Sequence, residues 1–248
     1  MSPELYFAVM LITNPQKAKR ILIANDWENW FMDLFDEEYD DVLSGRFIAK
    51  QDEYIDRIID KFLETAKVKI TDTDEYAREV IDKAVRTATQ IQETTKLHLT
   101  MPLYRRKDEL NIMSSGQTTK VTKAREETLE VADLIRLGIG FSALKFSTDA
   151  ILPWLSNERA NTIALNESNW ICNHEEFFDA KSKYKRKTWH TALDERVRMT
   201  HIALEGVTIG IDEIFHVGSS LMRFPLDSSL GASASEIINC RCTVEYKV

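Results

Sequence analysis

The chain has 248 residues, a formal net charge of −8, 44% hydrophobic residues and 29% charged ones. This is the composition of a globular chain, long enough for one large domain or two small ones, each with its own core. It speaks against a helical membrane protein, because the longest apolar candidate, Leu5 to Ile12, is far below the roughly 20 residues a bilayer requires and lacks the basic flank of a secretory signal.

Charge is unevenly spread. Between Asp26 and Glu64 thirteen acids face four bases, so this stretch carries the negative charge and the rest of the chain is about neutral. An acidic surface of that kind repels DNA at long range and suits a basic partner. The three cysteines, Cys172, Cys240 and Cys242, do not make a disulfide framework, and synthesis in the cytoplasm with reduced thiols is expected.

The first 100 residues read as helices. Asn14-Pro15 looks like an N-cap followed by proline at the first helical position. Asp52 to Leu63 places Tyr54, Ile55, Ile58, Ile59, Phe62 and Leu63 on one stripe. Thr71 to Asp74 is a capping region for a helix carrying Val80, Ala84, Ala88 and Ile91 at helical spacing, expected to stop before Pro102. Residues 102–119, polar and containing Pro102 and Gly116, read as a loop or hinge. Helical pattern resumes near Lys120 and runs to about Leu137, where Gly138 and Gly140 supply a stop. A further helix is expected from Ser156 to about Ile171.

After Lys181 the texture changes. β-prone runs appear at Lys187 to Thr191, Val207 to Ile211 and Cys240 to Tyr246, with one predicted helix among them, Asp194 to Glu205, ended by Gly206 at the C′ position. The expected fold class is therefore α+β: a mainly helical N-terminal body over residues 1–150 and a small mixed α/β C-terminal domain over 151–248. Lys181, Lys183, Lys185, Arg186 and Lys187 form a basic run without an acid inside it, readable as a solvated loop or as a contact for phosphate or an acidic partner.

The tail also carries an ordered set of residues: Trp189, then Asp194-Glu195-Arg196-Val197-Arg198, His201, Glu205-Gly206, Pro225-Leu226-Asp227, and a closing Asn239-Cys240-Arg241-Cys242. Any one element is weak; together they resemble the C-terminal domain of the phage minor head proteins typified by the F protein of phage Mu. Arg159, Ala160, Ile163, Ala164 and Glu167-Ser168 extend the resemblance upstream, so that it covers roughly residues 155 to 245. It implies a low-copy virion component, made in the host cytoplasm, recruited through the portal protein with capsid or scaffolding components, and then held inside the head near the portal. Passage with DNA during ejection is part of what is thought of some members. Others carry a fused toxin domain after the motif; with the sequence ending six residues past Cys242, none is expected here.

Read physically, the predicted helix 194–205 would place Asp194, Val197, His201 and Leu204 on one face, with His201 toward the core and Asp194 favouring the helix dipole. Arg196 and Arg198 fall on other faces and can pair with acids. In an extended segment Cys240 and Cys242 point to one side and Arg241 to the other. A disulfide between them would close a strained ring. Two readings stay open: two thiols packing as small hydrophobes, or two zinc ligands acting with His201, the fourth ligand being Asp194 or His190. Trp189 is expected to anchor the core, Cys172 to be a lone buried thiol, and His98, His174 and His216 to be surface or locally capped. The sequence lacks nucleophile-elbow, phosphate-loop and zinc-protease motifs. A non-enzymatic head protein is the expected function. The rivals are an enzyme built on scattered Arg196, Arg198, Glu205 and Asp227, or a DNA-binding module needing a broader basic face.

Overall fold

A computed structural model describes residues 15–105 and 154–248 of the chain. In chain order these form α1 (Pro15–Leu43), α2 (Phe47–Ala66), α3 (Glu75–Arg105), α4 (Asn157–Lys181), β1 (Arg186–His190), α5 (Met199–Ile202), β2 (Thr208–Gly210), β3 (Phe215–Val217), β4 (Ser220–Met222), α6 (Ala234–Ile237) and β5 (Thr243–Lys247). Long helices followed by short antiparallel strands make the protein α+β. The described residues form two compact units. The first comprises those up to Glu28, Thr65–Arg78 and Asn161–Val248; the second comprises Asn29–Glu64 and the described residues from Glu79 to Ala160.

In the second unit the predicted stripe on α2 buries Tyr54, Ile58, Phe62 and Leu63, and α3 buries Val80, Ala84, Ala88 and Ile91. The acidic stretch is not all surface, since Glu38 and Asp41 lie inside. Asp41 accepts hydrogen bonds from the Tyr54 hydroxyl at 2.5 Å and Arg46 Nε at 2.9 Å, with Lys50 Nζ at 3.0 Å. Burial alone would raise its pKa, but these partners hold it below the usual aspartate value. Glu38 accepts a hydrogen bond from Gln92 Nε2.

The first unit holds the tail. The start of α3 is capped as expected: Asp74 Oδ1 accepts the Ala77 N–H at 2.9 Å. Its sheet has the order β2-β1-β5, with both pairings antiparallel, and β3 and β4 form a separate hairpin. The central strand β1 buries Lys187, Thr188 and Trp189 in succession, because both of its faces are covered. Thr188 shares a 2.9 Å hydroxyl contact with Thr208 on β2, while Trp189 packs edge-on against Phe215 at 5.1 Å.

Several expectations are corrected. The helix from Ser156 runs ten residues past Ile171, because Trp170, His174 and Phe177 continue the buried spacing to Lys181, with no glycine or proline between. His174 is consequently interior, stacked on Tyr76 at 4.9 Å and Trp170 at 4.5 Å, not at the surface. α3 passes through Pro102 to Arg105; a proline removes one N–H from the ladder, and its neighbours' bonds carry the helix on. The rest of the expected hinge, the expected helix from Lys120 and the boundary near residue 150 lie outside the described residues.

The basic run also divides. Lys181 ends α4 and reaches Glu75 at 3.4 Å, Lys183, Lys185 and Arg186 are exposed, and Lys187 is fully buried. Lys187 shares the buried Trp189 face of β1, whereas Arg186 lies at the exposed start of the strand. Its ammonium lies 5.0 Å from the Phe177 ring centre and 5.5 Å from that of Phe215, without a hydrogen-bond partner among the described residues. Burial, then the nearby Arg223, push this amine down to about 8. Two ring faces are a weak substitute for water around an ammonium. Lys187→Met is therefore expected to raise stability by about 1–2 kcal/mol at neutral pH in urea unfolding. A clear loss of stability would mean that the ring contacts outweigh the desolvation.

Candidate functional site: the His201, Cys240 and Cys242 cluster

The segment leading to His201 does not form the predicted helix from Asp194 to Glu205; only Met199–Ile202 is helical. Local side-chain bonds compete with the helical ladder. Leu193 sits at φ 54°, and Asp194 Oδ1 accepts the Arg196 N–H at 3.0 Å, closing a turn. At the other end Glu205 turns back, its Oε2 accepting the Thr191 N–H at 2.6 Å and the Thr191 hydroxyl at 2.7 Å. Gly206 does take the left-handed conformation, φ 73°, but it closes the turn after the short helix and is not its C′ residue. Asp194 thus plays no helix-dipole role. Its carboxylate receives two hydrogen bonds from Arg241, at 2.6 and 2.7 Å, and that pairing holds it down to about 2.

The other end of the cluster is fixed by three asparagine contacts. Asn239 adopts φ 60°, a left-handed position that asparagine tolerates, and its N–H donates to Asn166 Oδ1 on α4 at 2.7 Å. Asn173, two helical turns further along α4, donates to the Pro225 carbonyl at 3.2 Å and the Cys242 carbonyl at 3.4 Å. Cys240-Arg241-Cys242 precedes β5 and lies outside the strand, yet the expected alternation holds. Both thiols are buried, and Arg241 points the other way to Asp194.

His201, Cys240 and Cys242 meet in the interior, each 3% exposed or less. His201 Nδ1 lies 3.3 Å from Cys242 Sγ and 3.6 Å from Cys240 Sγ. All three ligand atoms fall within 4.8 Å of one another, the spacing of a set that could hold a metal ion. The far nitrogen, Nε2, lies 3.0 Å from Glu236 Oε2, which also accepts the Thr200 hydroxyl at 2.8 Å. Gly218, at φ 61° in the β3–β4 turn, leaves room for this pair: a Cβ there would come within 3.0 Å of Glu236 Oε1 and Thr200 Cγ2. Trp189 stands edge-on to the imidazole at 5.7 Å.

Electrostatics favour a charged cluster. Burial opposes the imidazolium, but hydrogen bonds to Cys240 and Glu236 raise the His201 pKa above its ordinary value. The hydrogen bond from Cys242, together with His201, draws the Cys240 thiol below the usual range, and the same pairing pushes Cys242 up. One thiolate is thereby favoured, and thiolate is the form that ligates metals.

The two expected fourth ligands do not join. Asp194 is occupied by Arg241, and His190 lies between Glu205 at 3.1 Å and Glu245 at 3.2 Å. The remaining motif residues have internal partners. Arg198 donates to the Ile238 carbonyl, Arg196 lies 3.8 Å from Asp194, and Asp227 clamps Arg223 at 2.7 Å and the Ser229 N–H at 3.0 Å. Glu236, Thr200 and Asn173 were not anticipated. No local pattern marks them, since each matters through a contact tens of residues away in sequence.

Residues 127–245 match the family described as Phage Mu protein F like protein, the family that the tail residues resemble. Among individual proteins, the chain is similar to "Uncharacterized protein YqbB" of Bacillus subtilis (strain 168), with 32% identity over 99 residues, 38% of this chain and 32% of that protein. The chain thus aligns with about a third of that relative's length. No solved structure matches the chain.

Proposed function

We propose that this protein is a minor head protein of a phage, a non-enzymatic component that assembles with the portal protein and capsid or scaffolding partners in the host cytoplasm and then resides in the virion near the portal. The observation that carries this reading is the family match across residues 127–245. The use of the motif residues agrees with it. Trp189, Asp194, Arg198, Asp227, Asn239 and the His–Cys cluster are spent on internal ties, which build a module with a defined surface. Glu205, an acid that an enzymatic reading would need, is engaged by Thr191. Among the described residues no helix is long and apolar enough to cross a membrane.

Contact with partners is assigned to charge. The acidic stretch of the helical region suits a basic patch, while exposed Lys183, Lys185 and Arg186 suit an acidic or phosphate surface, including weak contact with DNA. Co-expressed with the portal protein of its own phage, the chain is expected to co-purify with it and to dissociate as salt is raised. Two folded proteins that fail to associate even at low salt would remove the portal from the proposal.

A further inference from the structure

We propose that His201 Nδ1, Cys240 Sγ and Cys242 Sγ bind one zinc ion, with Glu236 orienting the imidazole and a non-protein ligand such as water filling the fourth position. This goes beyond the head-protein reading and does not depend on which partner the chain meets.

Distances carry the first part. Zinc bonds sulfur at about 2.3 Å and imidazole nitrogen at about 2.0–2.1 Å, so a tetrahedral ion sets its N and S ligands roughly 3.6 Å apart. The observed Nδ1–Sγ separations are 3.3 and 3.6 Å. Both nitrogen–sulfur edges are thus within a few tenths of an ångström of those around zinc before any ion enters, and the two sulfurs lie within 4.8 Å of each other. Donor chemistry carries the second part. Two thiolates and an imidazole favour zinc over magnesium or calcium, which prefer oxygen.

The surroundings supply what a metal-bound histidine needs. Its second nitrogen faces a carboxylate, Glu236, itself fixed by Thr200, which would hold the ring proton on Nε2 when Nδ1 ligates the ion. Beside the three ligands lies a cavity of about 10 Å³ lined in part by Arg196, Arg198 and Asn239. That is about the room one water occupies. Its lining adds neither a carboxylate nor a further histidine or cysteine to the three ligands, and Asp194 and His190 are held elsewhere. The fourth ligand therefore comes from solvent. The ion would tie α5 to the segment before β5 across 41 residues of chain.

The test uses the full-length protein purified without chelator. Elemental analysis is expected to find about one zinc per chain. Refilling the stripped protein with cobalt(II) should give the absorption of thiolate-to-cobalt charge transfer. The Cys240→Ser and Cys242→Ser variants should lose stoichiometric metal. Should either fail to fold, Glu236→Gln supplies the second arm. It keeps all three ligands and is expected to weaken zinc about 10-fold in competition against a chromophoric chelator. A wild-type chain that is folded by circular dichroism, yet carries no zinc and gives no cobalt–thiolate band, overturns the site. Unchanged zinc affinity in Glu236→Gln overturns the role given to Glu236.

Discussion

Replacing Trp189 by alanine is expected to lower the unfolding free energy by about 4 kcal/mol. The indole is fully buried on the central strand β1, paired across to Val244 on β5 and packed edge-on against Phe215 and His201. Removing it loses the transfer energy of a large aromatic side chain and leaves a cavity that strands on both sides prevent from closing. Whole-domain stabilities are about 5–15 kcal/mol, so this single change takes a large share. Urea unfolding followed by circular dichroism measures it, and Trp189→Phe should cost much less. A loss below about 1 kcal/mol for the alanine variant would show that Trp189 is not the anchor of the tail.

The second large effect is a pH dependence centred on Glu38. Burial drives its pKa from 4.5 up to about 7, against the opposing hydrogen bond from Gln92 and the charges of Arg159 and Arg57. Its Oε2 has no hydrogen-bond partner among the described residues, so ionisation leaves a buried charge half-satisfied. The unfolded chain releases this proton near 4.5 and the folded chain only near 7. Between those values the folded state holds more protons, and stability falls as pH rises. Below 4.5 the contribution is fully present; by pH 7 it has dropped by about 3 kcal/mol, at 1.36 kcal/mol per unit. Glu38→Gln removes the dependence, so the variant should be the more stable protein at pH 7 and the two should converge toward pH 4.5. Parallel stability curves for wild type and variant across that window would show that Glu38 ionises freely in the fold.

What could be read without coordinates was local. The stripe through Tyr54, Ile58 and Phe62, the spacing of Val80, Ala84 and Ala88, and the Asp74 cap each depend on residues within one or two turns, and each reappears in the structure. Burial of Trp189 and the same-side thiols of Cys240 and Cys242 follow from side-chain chemistry and extended-chain alternation. The meeting of His201 with the two thiols was also legible, because a histidine and a Cys-x-Cys pair in a small tail have few apolar places to go. Tertiary structure alone decided the rest. Asp194 begins a helix by propensity, but Arg241, 47 positions later, takes its carboxylate and the local turn prevails. Lys187 belongs to a basic run by sequence, yet its place on a strand covered on both faces puts it inside. Glu236 becomes the partner of His201 only because the chain folds back over 35 residues. Periodicity and capping act over a few residues and are written in neighbouring side chains. Ion pairs and buried charges depend on which distant segment arrives, and that is settled by how the whole core packs.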